Sequence, residues 1–133
     1  MRGFAAKVRK HMRGKRPLAR VTESLRLVYY ELAARTVIEN RQIIPCYAGI
    51  TNVHLTPYGV LWPCCVLGYA KPLGNLRESG YDFWKVWHSE QAREVRRSIK
   101  NQECACPLAN QAYSNIICHT PSLMRSIGNI LKQ

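Results

Sequence analysis

Six cysteines are the residues of this chain whose type and spacing could do chemistry. They are Cys46, Cys64, Cys65, Cys104, Cys106 and Cys118. In the stretch ECACP one residue separates Cys104 from Cys106, a spacing at which two sulfurs cannot readily bond to each other without strain. Both can instead bind a third group. Without an export signal we expect a cytoplasmic chain, and in that reducing compartment clustered cysteines more often indicate metal or redox chemistry than disulfides.

The N-terminal residues are basic and resemble neither an export signal nor a membrane span. Eight of the first 20 residues are Lys or Arg, and none is Asp or Glu. This segment lacks the apolar region of a secretory signal. No apolar run in the chain approaches the roughly 20 residues that a membrane span needs. The net charge of +12 suits phosphate backbones or anionic lipid, whereas the simpler interpretation of the basic segment is a solvated terminus.

The elements that position the cysteines are predicted to form an α+β fold. A basic arm over residues 1–17, closed by Pro17, is followed by a helix from about Thr22, its N-cap, to Asn40. The apolar residues of this helix lie near helical spacing, so one face needs a partner. That partner is either the domain's own sheet or a larger domain absent from this chain. The face contains Leu25, Val28, Tyr29, Leu32 and Val37.

A β-hairpin is predicted between Cys46 and Cys64. The stretch 53–56 alternates apolar and polar residues, Pro57-Tyr58-Gly59 is a turn signal, and residues 60–62 provide the second strand. Because a hairpin returns the chain, we expect Cys46 and Cys64 to come close together despite the residues between them.

The second half of the chain is predicted to be mainly helical. Residues 71–82 are interpreted as a loop, followed by a helical stretch from about Phe83 to Lys100 that Ser89 interrupts and caps. Shorter helices are expected over residues 109–117 and 122–131. The predicted buried stripe of the longer helix contains Ala92, Val95 and Ile99. Its arginines, Arg93, Arg96 and Arg97, are interpreted as a solvated face.

Four convergent thiols would suit either tetrahedral zinc or an iron–sulfur cluster. The candidates are Cys46, Cys64, Cys104 and Cys106. Zinc ribbons usually use two tight C-x2-C pairs, whereas here a whole hairpin separates the first two cysteines and the second pair is C-x-C. A cubane tolerates dispersed ligands because each thiolate binds a different iron. Spacing therefore favours iron–sulfur modestly and leaves both metals open.

Three stretches together resemble the SPASM/twitch domain of radical S-adenosylmethionine enzymes. They are CYAGITNVHLTPYGVLWPCC, PLGNLRESGYDFWKVWHSEQAREVRRSI and CACPLANQAYSNIIC, within about residues 44–120. The family pattern opens with C-x(9–15)-G-x4-C. The spacing Cys46-x12-Gly59-x4-Cys64 fits this pattern. Its following "GN(L)" segment and "W…S" helix are matched by Gly74, Asn75, Leu76, Trp87 and Ser89.

The resemblance implies one auxiliary [4Fe-4S] cluster. Cys46, Cys64, Cys104 and Cys106 are its expected metal ligands. The family usually supplies its last ligands as C-x2-C or as a longer cysteine series, whereas this chain has C-x-C-x11-C, too few cysteines for two clusters. Cys118 is therefore a further candidate that could replace Cys104 or Cys106. Cys65, next to Cys64, is expected to point to the other face of the strand as a buried, inert thiol.

The resemblance also implies that the chain does not catalyse a reaction alone. The C-x3-C-x2-C spacing of the family's catalytic barrel does not occur in the sequence. We expect residues 43–120 to be the cluster-binding domain, residues 1–42 an arm and helix, and residues 121–133 a C-terminal helix. The chain would be a fragment or split subunit that partners a radical S-adenosylmethionine barrel, with a peptide or protein as a possible substrate. The alternatives are a zinc-stabilised basic module that binds nucleic acid, or a remnant without function.

Overall fold

The computed structural model describes residues 7–8 and 16–131. The predicted basic arm lies largely outside the described residues. Five helices and a three-stranded antiparallel sheet are present between residues 16 and 131, which confirms the α+β fold. In chain order they are α1 (Pro17–Glu39), β1 (His54–Leu55), β2 (Val60–Trp62), β3 (Gly74–Asn75), α2 (Phe83–Trp87), α3 (Glu90–Lys100), α4 (Ala109–Cys118) and α5 (Thr120–Leu131). No helix among the described residues is both long and apolar enough to cross a membrane.

The chain folds as two compact units. The continuous unit is Pro45–Cys104, and the split unit combines the chain up to Ile44 with the chain from Ala105 onward. These units describe contacts within the chain. The predicted functional division into residues 1–42, 43–120 and 121–133 has other boundaries, and it stays a prediction.

Helix α1 of the split unit begins at Pro17, five residues before the predicted start. The expectation that Pro17 closes the preceding arm and Thr22 caps the helix is wrong. Proline is well tolerated in the first turn of a helix, where its missing N–H has no intrahelical partner to lose. Thr22 lies inside the helix, and its hydroxyl donates to the carbonyl oxygen of Leu18 at 3.3 Å. The helix ends at Glu39, and the next residue, Asn40, forms the C-cap with a left-handed backbone (φ 46°).

The apolar face of α1 is covered within its own unit. Helices α4 and α5 pack against α1, so this face has a partner within the split unit. The buried core of this unit consists of Val28, Leu32, Ile44 and Ile116, with Leu25, Tyr29 and Ile43 packed against it. Val37, which was assigned to the same face, is exposed.

The predicted hairpin is present in the continuous unit. His54 pairs with Trp62 and Leu55 with Leu61, and the turn residue Gly59 has the positive φ of 85° that a side chain disfavours. The interpretation of residues 71–82 as loop is wrong at one point. Gly74 and Asn75 form β3, which pairs antiparallel with β2.

Helices α2 and α3 follow the sequence pattern closely. The hydroxyl of Ser89 accepts a hydrogen bond from the N–H of Ala92 at 3.1 Å, which confirms the predicted cap. The carboxylate of Asp82 accepts from the N–H of Lys85 in the same way at the start of α2. The predicted stripe is buried. The core of this unit contains Ala48, Leu61, Cys64, Leu73, Val86, Ala92, Val95 and Ile99.

Candidate metal centre

Cys46 and Cys64 belong to the core of the continuous unit. Cys64 is buried, and half-buried Cys46 packs against the same cluster of apolar side chains. The N–H of Gly49 donates to the carbonyl oxygen of Pro63 at 3.1 Å. The segment that follows Cys46 is thus hydrogen-bonded to the residue that directly precedes Cys64.

Gly49 allows this close approach. Its φ is +72°, and a Cβ built on it would lie 3.2 Å from the Cβ of Pro63. A side chain here would be strained by its backbone conformation and crowded by its neighbour. The absence of a side chain at Gly49 therefore lets the two cysteine-bearing segments meet.

The sulfur of Cys64 accepts a backbone hydrogen bond. The N–H of Leu67 donates to Cys64 Sγ at 3.4 Å. Within the split unit, the N–H of Leu108 donates to Cys106 Sγ at the same distance. Hydrogen bonds of this kind hold a sulfur in one orientation, as donors around metal ligands commonly do. Amide donors to sulfur also tune iron–sulfur clusters.

Cys104 follows Glu103, whose carboxylate accepts hydrogen bonds from two side chains. Lys71 Nζ donates to Glu103 Oε2 at 2.9 Å, and the hydroxyl of Ser98 donates to the same oxygen at 2.6 Å. The hydrogen bonds from Ser98 and Lys71 lower the pKa of Glu103 below its ordinary value. Sequence reasoning missed this cluster, because its members are far apart in the chain and share no local pattern.

One family model matches the part of the chain that contains these cysteines. The family model of the SPASM iron–sulfur cluster-binding domain matches residues 46–107. Residues 46–107, called the SPASM domain below, are therefore similar to this family. The match begins at Cys46 and ends directly after Cys106, so it contains four of the five predicted ligands and excludes Cys118. No curated protein and no solved structure matches the chain.

Within the SPASM domain, Cys106 belongs to the split unit and is half-buried. Its N–H donates to Gln42 Oε1 at 3.4 Å. The hydroxyl of Tyr29 donates to the carbonyl oxygen of the next residue, Pro107, at 3.0 Å. Burial, with smaller contributions from Tyr113, Tyr30 and Cys106, raises the pKa of Tyr29. Tyr29 of α1 and Gln42, which follows α1, thus each make one polar contact with the last part of the SPASM domain.

Cys118 lies outside the SPASM match as the last residue of α4. Its side chain is exposed. The ring of the next residue, His119, forms a hydrogen bond through Nδ1 with the hydroxyl of Ser122 at 2.8 Å.

The expectation that Cys65 is buried is wrong. Strand β2 ends at Trp62, so the alternation of faces no longer applies at Cys64 and Cys65. Cys65 is exposed, whereas Cys64 is buried.

Arg96 is not part of a solvated face. Its guanidinium donates to the carbonyl oxygens of Gly49 at 3.3 Å and Trp87 at 2.5 Å. It also lies 4.8 Å from the centre of the Trp87 ring. Burial, reinforced by Arg93, lowers its pKa from the ordinary arginine value. Arg96 therefore connects α3 to the segment that follows Cys46.

The donor chemistry of the SPASM domain fits an iron–sulfur cluster, since its four predicted ligands are buried or half-buried and two of them accept N–H groups. In the described parts of the chain no three His, Cys, Asp or Glu side chains form a group that could hold a metal ion. Cys46, Cys64 and Cys104 are in the continuous unit, and Cys106 and Cys118 are in the split unit. The full ligand set therefore stays a prediction.

Proposed function

We propose that this chain is the auxiliary cluster module of a radical S-adenosylmethionine enzyme. It holds one [4Fe-4S] cluster and serves electron transfer or substrate positioning. The match of residues 46–107 to the SPASM iron–sulfur family carries the proposal. The functional domain extends over residues 43–120, with residues 1–42 and 121–133 as extensions. A cytoplasmic location suits it, because thiols stay reduced there.

In this proposal Cys46, Cys64, Cys104 and Cys106 are the cluster ligands. The amide groups of Leu67 and Leu108 support the proposal, because they donate to two of these sulfurs and so orient them. When bound, the cluster supplies one-electron transfer. The four cysteines bind and orient it, and the apolar core around Cys64 limits the access of water.

The proposed partner is a radical S-adenosylmethionine barrel, in the same protein or in a second subunit. Cleavage of S-adenosylmethionine needs a cluster with one open iron, held by three clustered thiols, and that spacing does not occur in this sequence. Four cysteines on one cluster leave no iron open. We therefore propose that the chain is not catalytic alone. A peptide or protein is the proposed substrate of the complete enzyme.

Anaerobic purification followed by metal and sulfide analysis tests the cluster. We expect brown protein with iron and acid-labile sulfide in equal amounts. Colourless protein that contains zinc and no sulfide would contradict the proposal and favour the zinc-stabilised, nucleic-acid-binding alternative.

Single Cys→Ser variants test the ligand set. Replacement of Cys46, Cys64, Cys104 or Cys106 should reduce iron and sulfide per chain. Cys65→Ser is the matched control, since it alters an exposed thiol next to a proposed ligand. Cluster retention in Cys46→Ser together with loss in Cys65→Ser would show that the assignment is wrong. If Cys118→Ser loses the cluster whereas Cys104→Ser or Cys106→Ser retains it, Cys118 is the fourth ligand in place of the cysteine whose variant retains the cluster.

The role of the barrel is tested by reductive incubation with S-adenosylmethionine, followed by chromatography for 5′-deoxyadenosine. The reconstituted chain should release no more than free iron and sulfide do. Turnover above that level would overturn the noncatalytic assignment. Activity that appears only after addition of a separately expressed barrel would support a split enzyme.

A further inference from the structure

Three side chains that are distant in the sequence meet at the end of the continuous unit. Lys71 Nζ donates both to the hydroxyl of Ser98 and, at 2.9 Å, to Glu103 Oε2. The hydroxyl of Ser98 donates to the same carboxylate oxygen at 2.6 Å. We call this group the Lys71 clamp. Its members come from the turn after Cys64, from α3, and from the residue before Cys104.

The backbone of Lys71 extends this network to Cys64. The N–H of Lys71 donates to the carbonyl oxygen of Leu67 at 2.7 Å. The N–H of Leu67 in turn donates to Cys64 Sγ at 3.4 Å. A continuous path of hydrogen bonds and covalent bonds therefore runs from the sulfur of Cys64 through Lys71 to Glu103, and so to Cys104.

Cys104 lies in a segment without regular secondary structure. Helix α3 ends at Lys100, and residues 101–104 belong to no helix or strand. The N–H of Glu103 donates to the carbonyl oxygen of Ser98 at 3.3 Å. The carboxylate of Glu103 adds two further hydrogen bonds at the same point. The clamp thus fixes the residue next to Cys104 where regular secondary structure does not.

The exposure of the clamp argues against a mainly stabilising role. The side chains of Lys71 and Glu103 are 37% and 51% exposed, and ion pairs at such positions contribute little to folding stability. Their geometric effect is larger, because they join two cysteine-bearing segments. Removal of a group that orients a metal ligand commonly lowers metal affinity roughly 10- to 100-fold.

We propose that Lys71 is a positioning residue for the cluster: through Ser98 and Glu103, it holds the Cys64 turn and Cys104 in fixed relation as two ligands of one site. This inference rests on the proposed function. It assigns to Lys71 no contact with the cluster itself.

Lys71→Met tests the inference, because it keeps most of the apolar stem and removes the ammonium. The variant and the wild type are reconstituted identically with iron and sulfide. The visible absorption of the cluster is then followed during challenge with a chelator. We expect Lys71→Met to lose its cluster about tenfold faster, at the lower end of the range for such groups because the clamp is partly exposed. Lys71→Arg should recover part of the retention, because it restores the positive charge.

Lys100→Met is the matched control. It removes an exposed lysine from the end of α3 in the same unit, and it should retain the cluster as the wild type does. Glu103→Gln should match Lys71→Met, and the double variant should be no worse than either single variant, because both changes break one network. Melting of the metal-free variants should remain close to that of the wild type. If Lys71→Met unfolds, Ser98→Ala and Glu103→Gln provide the same comparison.

Two failures are distinguishable. If the wild type itself takes up no iron and sulfide, the proposed function is wrong. If the wild type loads normally and Lys71→Met loses its cluster at the rate of Lys100→Met, only the role of Lys71 is overturned. Independent, additive effects of Lys71→Met and Glu103→Gln would also overturn the clamp.

Discussion

Replacement of Gly49 by alanine tests the contact between the two segments that carry Cys46 and Cys64. Gly49 has φ +72°, and a Cβ would lie 3.2 Å from the Cβ of Pro63 and 3.6 Å from Cγ of Arg96. The change therefore strains the backbone and crowds a residue directly beside Cys64. We expect lower stability and poorer cluster retention together.

The expected magnitude follows from these two effects. A left-handed conformation costs an alanine about 1–2 kcal/mol, and the lower entropy of the unfolded alanine chain returns about 0.4–1 kcal/mol. The net backbone cost is then about 1 kcal/mol, which corresponds to a fall of about 4–8 °C in the melting temperature of a small domain. The crowding at Pro63 adds to this cost, because the contact is a few tenths of an ångström too short.

Gly80 offers a matched control. Its φ is +70°, nearly the same as that of Gly49, and a Cβ built on it meets no atom within 4 Å. Gly80→Ala should therefore show the backbone cost alone. Both variants are compared by thermal melting without metal and by iron and sulfide content after reconstitution. Gly49→Ala should melt below Gly80→Ala and bind less iron; equal melting and equal iron content would refute the reasoning.

Two further predictions concern local electrostatics and capping. Ser89→Ala removes the acceptor for the N–H of Ala92 and should lower the free energy of unfolding by about 1 kcal/mol in a urea titration. Ser89→Thr keeps a hydroxyl acceptor and should remain close to the wild type. An equal loss of stability in both variants would exclude the cap as the cause. Hydrogen bonds from Arg35 and, to a smaller extent, Arg41 hold the pKa of Glu39 below its ordinary value. The carboxylate therefore stabilises the fold at neutral pH. This stabilisation is lost as the pH falls from the ordinary glutamate pKa of about 4.3 through the lowered pKa of the folded state. The melting temperature of Glu39→Gln should therefore lie below that of the wild type at neutral pH and converge with it in acid, and a constant difference would contradict this assignment.

Local signals in the sequence account for the elements that could be predicted. The hairpin depends on a turn signal at Gly59 and on adjacent apolar residues, and the start of α3 depends on Ser89 and the stripe that begins at Ala92. These features act over a few residues, so one sequence suffices to recognise them. Thr22 misled the prediction because a good capping residue can also lie inside a helix, with its hydroxyl on a preceding carbonyl.

Features that arise from tertiary contacts could not be predicted. Strand β3 is two residues long and is a strand only because it pairs with β2. Arg96 is partly buried through contacts with residues far away in the sequence. The Lys71 clamp likewise joins residues that no periodic pattern connects. At the candidate site, the cysteine types and spacing were informative, whereas the amide donors to Cys64 and Cys106 depend on the backbone path of each loop.

The split unit also has a consequence for synthesis on the ribosome. The hydroxyl of Ser24 in α1 donates to the carbonyl oxygen of Ser126 in α5, a partner 102 residues later in the chain. At about 5–20 residues per second, the nascent α1 waits roughly 5–20 s for α5, with its apolar face open to chaperones. All residues of the continuous unit, Pro45–Cys104, have been made before that time. We therefore expect the continuous unit to fold before the split unit during synthesis.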